Sequence, residues 1–218
     1  MNPPSLEVIR FETGPLQENA WLVVDRASDD AVMVDPGDDG ADLIAGIQAA
    51  GATLRAIWLT HAHFDHVGAV RALREHFGVP AFLHEADIPM FEAGPFQAAS
   101  YGIPFDGDEV PSERFVEGQG VRVGGLSFTV MHTPGHSPGH VVLHGHGVAL
   151  VGDCLFAGSI GRTDLPLGNA AELGRSLRRI VALPPGTRVL PGHGPPTTVA
   201  EEKRSNPWVL ELLSRDAR

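Results

Sequence analysis

Short apolar runs at residues 6–11, 21–25, 31–35 and 56–60 have the length and β-branched content of strands. Between and after them, residues 40–50 and 65–77 place apolar side chains at helical spacing, as Val67, Val70, Leu73 and Phe77 do. Strands alternating with helices argue for a mixed α/β fold. The spacing predicts one helix over 65–77, opening at Asp65 directly after the strand that ends at Thr60.

The texture changes at Val121. Runs at 121–123, 126–132, 141–143 and 148–151 are separated by glycine-bearing turns and read as antiparallel pairing. Helices are expected over 170–183 and from Pro207 onward, with Asn206 capping and Pro207 at the first helical position. Two β-rich halves flanked by helices suggest a sandwich of sheets with helices outside. Residues 84–118, rich in Pro, Gly and acidic side chains, read as an irregular connection whose aromatics (Phe91, Phe96, Tyr101, Phe105) pack on the core. The sharper reading is a lid that shapes a pocket.

With 218 residues, 43% of them hydrophobic, the chain can bury one sizeable core, and one domain over 1–218 is expected. Met1 to Gly14 show no basic stretch followed by an apolar run. No window approaches the roughly 18 apolar residues that a membrane span needs. One cysteine, Cys154, excludes an internal disulfide and a thiolate cluster. A cytoplasmic protein without a membrane partner is the expectation. Acidic residues outnumber basic ones 27 to 16, for a net charge of -11, and Lys203 is the only lysine. A nucleic-acid partner, which needs a basic stripe, is disfavoured. The sequence carries no signal for oligomeric state.

Eleven histidines change the picture, because they cluster. Thr60 to His66 reads THAHFDH and puts four metal-competent side chains where a strand gives way to a helix. In an extended segment alternate residues point to one side, so His61 and His63 can share an ion. The chain turns at Asp65 and His66, which can face a second ion about 3.5–4 Å from the first. Further ligands are available at strand ends beside Gly or Pro: His136 in TPGHSPGH, Asp153 in LVGDCLF and His193 in LPGHGP. We assign His61, His63 and His136 to one metal, Asp65, His66 and His193 to the other, and Asp153 to both. The donors are nitrogen and oxygen, which suits two divalent ions, zinc first, with iron or manganese also admitted. A hydroxide between the metals would attack the substrate, with Asp65 also catalytic and Arg162, a planar fork, receiving a substrate carboxylate.

In their order, THAHFDHVG, TPGHSPGH, GDCLF and PGHG, with VDPG at 34–37 and GSIGRTDLP at 158–166, resemble the metal motifs of the metallo-β-lactamase superfamily, in its glyoxalase II-like branch. The resemblance implies a four-layer αββα sandwich, a metal site at one edge of the sheets, and hydrolysis of a small thioester of the S-lactoylglutathione type. Arg162 and Asp164 stand where glyoxalase II carries a lysine and a tyrosine for glutathione. The expectation is the short bacterial form, without the added C-terminal helical domain. A mononuclear-iron persulfide dioxygenase shares the H-x-H-x-D-H pattern and a similar GRTD segment, and is the alternative.

The other histidines (His76, His84, His132, His140, His144 and His146) are read as surface or core residues, His140 being the nearest to a site position. Asp35 in VDPG is a turn residue or, as in the family, a support behind the ligands. Cys154 reads as inert packing. Residues 135–139 match the serine-hydrolase elbow G-x-S-x-G, but Pro138 after Ser137 has no N–H for an oxyanion hole, so a serine triad is rejected.

Overall fold

The computed structural model describes residues 6–105 and 107–216. The start of the segment read above as lacking an export signal, and the last two residues of the expected 1–218 domain, therefore lie outside the described residues. The first sheet runs, in spatial order, β1 (Leu6–Thr13), β2 (Glu18–Asp25), β3 (Asp30–Val34), β4 (Thr53–Trp58), β5 (Ala81–His84) and β6 (Glu113–Phe115). β1 to β3 pair antiparallel and β3 to β6 parallel. The second sheet contains β7 (Gly120–Val123), β8 (Leu126–His132), β9 (Val141–Gly145) and β10 (Val148–Gly152) as an antiparallel meander. After the small hairpin of β11 (Leu155–Phe156) and β12 (Ser159–Ile160), β13 (Arg188–Pro191) joins β10 in parallel, and β14 (Thr197–Thr198) closes that side.

The period-two alternation of the strands sorts their side chains into three apolar layers. Ala20, Leu22 and Val24 of β2 face outward onto helix α1 (Gly40–Ala49), whose Leu43 and Ile47 share that layer. Trp21 and Val23, the intervening residues, face inward and meet Phe128, Val130 and Leu143 of the other sheet. On the far side Val142, Ala149 and Val151 pack against Leu173, Leu177 and Ile180 of a later helix, Ala170–Val181. Helix, sheet, sheet and helix are thus stacked, which is the αββα architecture the sequence implied.

The predicted helix over 65–77 is two helices, α2 (Phe64–Val67) and α3 (Val70–Phe77). Gly68 lies so close to the Gly37 carbonyl that a Cβ would collide with it, and the Ala69 N–H donates to Pro36 O instead of continuing the helical ladder. The first turn is thereby tied to the VDPG loop. The segment 84–118 is also more ordered than an irregular connection. It holds α4 (Ile88–Glu92) and α5 (Gly94–Ser100), each with a proline in its first turn, so prolines that read as breakers start helices. Phe91 packs on the core as expected, but Phe96 is 80% exposed and Tyr101 52%. Phe105 also packs against the core, so the first reading holds for Phe91 and Phe105, while Phe96 and Tyr101 help to wall a groove. Beyond the expected helices α6 (Ala170–Val181) and α8 (Pro207–Asp216), the latter capped by Asn206, a further helix, α7 (Val199–Ser205), precedes α8. Among the described residues no helix is long and apolar enough to cross a membrane.

Candidate metal centre

Four chain segments bring the seven predicted ligands to one edge of the sandwich. His61 and His63 lie in the extended stretch after β4, and Asp65 and His66 on α2. His136 sits in the loop between β8 and β9, Asp153 follows β10, and His193 follows β13. Ligand atoms of His61, His63 and His136 lie within 4.8 Å of one another, as do those of Asp65, His66 and His193. Asp153 spans the two groups: Oδ1 is 3.5 Å from His66 Nε2, and Oδ2 is 3.6 Å from Nε2 of both His136 and His193. Gly192 permits this approach, since a Cβ there would meet Asp153 Oδ1 and the His66 ring.

The hydrogen bonds behind these rings settle their tautomers. Asp35 accepts from the Thr60 N–H at 2.7 Å and, through Oδ2, from the Thr60 hydroxyl at 2.6 Å. With its proton so used, Thr60 Oγ1 accepts from His61 Nδ1 at 3.0 Å. His66 Nδ1 donates to the same Asp35 oxygen at 3.2 Å, and His136 Nδ1 donates to Arg162 O at 2.8 Å. In their neutral form these rings present an unprotonated Nε2 to the site. Burial alone would keep His66 neutral, but Asp153 and Asp65 raise it well above the usual imidazole range, so a cation entering there displaces its proton. The Nε2 atoms of His61, His66 and His136, and Asp153 Oδ1, are buried without a hydrogen-bond partner. Orphaned buried acceptors cost free energy unless something satisfies them, and converging lone pairs fit a cation. Burial first, then the neighbouring His136, pushes His63 down to about 3, and burial likewise lowers His61, so both rings are neutral, the form that coordinates metal. Burial alone would raise Asp65, but His66 and His193 hold it below the usual carboxylate range.

Asp35 is thus a support behind the ligands as well as a turn residue. Its left-handed φ of 50°, which aspartate tolerates better than most residues, ends β3 and aims the carboxylate at Thr60 and His66. His140, fully buried and stacked 5.0 Å from His61, spends Nε2 in accepting the Asp153 N–H at 3.2 Å, so it positions Asp153 without joining the ligands. His76, His84, His132, His144 and His146 fall outside the cluster of rings, as expected. Burial pushes the Cys154 thiol up to about 12, in keeping with inert packing. Ser137 is buried and donates to Asp87 at 2.7 Å, which leaves no nucleophilic triad.

Asp87 is the residue sequence reading missed. Fully buried, it accepts from Ala62 N–H at 3.1 Å, Ser137 Oγ and Gly139 N–H, and so joins the two loops that carry His61, His63 and His136. In sequence it is a lone acidic residue in a polar stretch, with no signal to separate it from a solvated one. Asn19, at the start of β2, is the other. It donates to Pro191 O, Gly194 O and, through its backbone, Gly192 O, fastening the His193 loop to the first sheet.

Above the ligands opens a groove of about 780 Å³, lined by His63, Asp65, His136, Asp153 and His193 and walled by α4, α5 and the loop after β12. Arg162 reaches its rim, where Nε and Nη2 each bind one oxygen of Asp164 at 2.8 Å.

The profile of the metallo-beta-lactamase superfamily matches residues 13–193. The hydroxyacylglutathione hydrolase GloC of Haemophilus influenzae is 39% identical over 88% of this chain and 93% of its own length. A probable metallo-hydrolase of Bacillus subtilis, YqgX, is 37% identical over 92% and 96%. Among solved structures, BLEG-1 B3 metallo-beta-lactamase superposes with a TM-score of 0.88 at 37% identity, covering 93% of this chain and 99% of that one. TTHA1623 in a di-iron-bound form gives 0.84 at 44% identity, over 92% and 99%. ETHE1 from Myxococcus xanthus gives 0.77 at 27%, over 97% and 92%. Profile, relatives and architecture agree, and this chain belongs to the metallo-β-lactamase superfamily as a metal-binding hydrolase.

Proposed function

We propose that the protein is a two-metal thioester hydrolase, carried by one domain, working in the cytoplasm on a small-molecule thioester and without a nucleic-acid or membrane partner. The observation that carries this reading is the convergence of three orphaned imidazole nitrogens and one orphaned Asp153 oxygen at and beneath the floor of a groove that His136 and Asp153 line. His61, His63 and His136 would hold one ion, Asp65, His66 and His193 the other, and Asp153, with an oxygen toward each group, would hold both. Zinc is the proposed metal, and the nitrogen and oxygen donors also accept iron or manganese. Bound there, two divalent ions supply an activated water and polarise the thioester carbonyl.

The chain's own residues do the rest. Asp65 lines the groove, and its carboxylate is placed to hold the proton of the attacking water. Asp35, Thr60 and Asp87 fix the rings so that little reorganisation is needed on binding. The thiolate departs without an acid, because a thiol ionises near pH ~8.5. S-lactoylglutathione is the reference substrate, following the name of the Haemophilus relative, and Arg162 is the side chain at the rim that could meet its carboxylates.

The alternative, a mononuclear-iron persulfide dioxygenase, is kept by the likeness to ETHE1, and because it shares the H-x-H-x-D-H pattern the ligand spacing does not separate the two. Elemental analysis, thioester hydrolysis and oxygen uptake on one sample decide between them. Two metals per chain with thioester turnover is the expected result. One iron with persulfide-dependent oxygen uptake would overturn it. A β-lactam belongs in the same panel as a control, given the name of BLEG-1.

A further inference from the structure

The walls of the groove do not match the reference substrate. Among the described residues seven large hydrophobics are exposed, and four of them, Leu16, Phe96, Tyr101 and Leu167, line this groove. They come from three separate segments: the turn after β1, the stretch from α5 to Tyr101, and the loop after β12. Leu167 is presented with a φ of 68°, a left-handed conformation that side chains with a branched Cγ seldom occupy. Tyr101 is braced against Phe64, ring centroids 5.2 Å apart. An exposed apolar rim of this kind around a polar floor marks a ligand surface.

The charges tell against an acidic substrate arm. Among the described residues Arg162 is the only lysine or arginine lining the groove, and both oxygens of Asp164 occupy its fork. Glutathione brings two carboxylates, which gain no other cation from the lining and would have to stay in water or displace Asp164 from Arg162. The lactoyl arm brings a hydroxyl, and neither arm gains from contact with Phe96 or Leu167.

We propose that this groove selects its thioester by an apolar arm, aliphatic or aromatic, and that Phe96, Tyr101 and Leu167 set that specificity. The proposal rests on the thioester-hydrolase reading of the site. It makes S-lactoylglutathione a poor substrate beside thioesters with an apolar substituent on either side of the sulfur.

The test uses metal-loaded enzyme and two series, acyl N-acetylcysteamine thioesters from acetyl to hexanoyl and alkyl thioacetates from methyl to hexyl, with S-lactoylglutathione beside them. In at least one series kcat/KM should rise about fourfold per methylene buried, and the series that rises tells which arm lies in the groove. The double variant F96A/L167A, at two exposed positions, should lower the ratio of hexanoyl or hexyl to the shortest member about tenfold. A flat response in both series, or S-lactoylglutathione preferred tenfold over every member, would overturn the proposal. A calorimetric titration with the non-hydrolysable thioether S-hexyl-N-acetylcysteamine separates the two readings. If it binds at least tenfold tighter than its S-methyl counterpart while no thioester is turned over, the hydrolase reading fails and the apolar specificity of the groove stands. If thioesters are cleaved and the two thioethers bind alike, the groove proposal alone fails.

Discussion

The layer between the two sheets and the innermost rings of the edge where the histidines meet are equally shut off from water, yet they are built by opposite rules. Between the sheets, Trp58 is 1% exposed and meets Phe115 and Phe128 edge to face, at centroid distances of 6.5 and 5.7 Å. The apolar rings there have apolar partners, and the Trp21 indole N–H donates to Pro191 O at 3.0 Å. At the edge, His61 and His66 are 0% exposed and each keeps a nitrogen with no partner at all. Burial with complementarity holds the fold together, whereas burial with unmet valence shows where the fold is put to use.

The largest effect that would sharpen this contrast is at the edge. His61→Ala should lose metal, seen in elemental analysis, and lower thioester turnover by roughly 10⁴-fold while far-UV circular dichroism stays unchanged. Full activity with one metal fewer would break the assignment. Next is the layer between the sheets, where Trp58→Ala should cost about 3–5 kcal/mol in denaturant unfolding, with metal content per folded chain unaltered. A loss under about 1 kcal/mol would mean that this layer is not the structural one. Smaller is Asp87→Asn, which keeps the shape but turns one acceptor oxygen into a donor facing N–H groups. Competition with a chelator should show metal affinity lowered about 10–100-fold, and a lowered melting temperature with unchanged affinity would reduce Asp87 to a packing residue. The smallest is a helix cap whose side chain touches neither region, although its backbone N–H, kept by the substitution, donates to Gly135 O beside His136. Asn169 caps α6 by accepting from Ala171 and Glu172 N–H, and Asn169→Ala should cost about 1 kcal/mol with kcat/KM unmoved.

The same contrast explains what could be seen in the sequence. The ligands were legible because THAHFDH crowds chemistry into consecutive residues, and the sandwich was legible because two β-rich halves are each flanked by helical segments and the metal motifs follow the family's order. Features that depend on contacts across long sequence separations were hidden. The break at Gly68 arises from the approach of Gly37, on another segment, and no local propensity announces it. Asp87 acquires its part only where the loops of Ala62 and Gly139 converge on it. His140 differs from a ligand by one hydrogen bond to the Asp153 backbone, which spacing cannot reveal. In 84–118 the prolines carried two opposite meanings, stopping a helix or starting one, and only the turn they sit in chooses.

Asn19 fastens the loop of His193 to β2, so the last of the seven side chains is delivered only when the first sheet has docked against the second. Any ion held there senses an event that spans nearly the whole chain. By mass action, each tenfold excess of free metal over its dissociation constant should deepen the docked state by about 1.4 kcal/mol. Metal uptake followed through a denaturant titration would then serve as a gauge of sheet docking, reading the closure of the seam in place of the melting of either half.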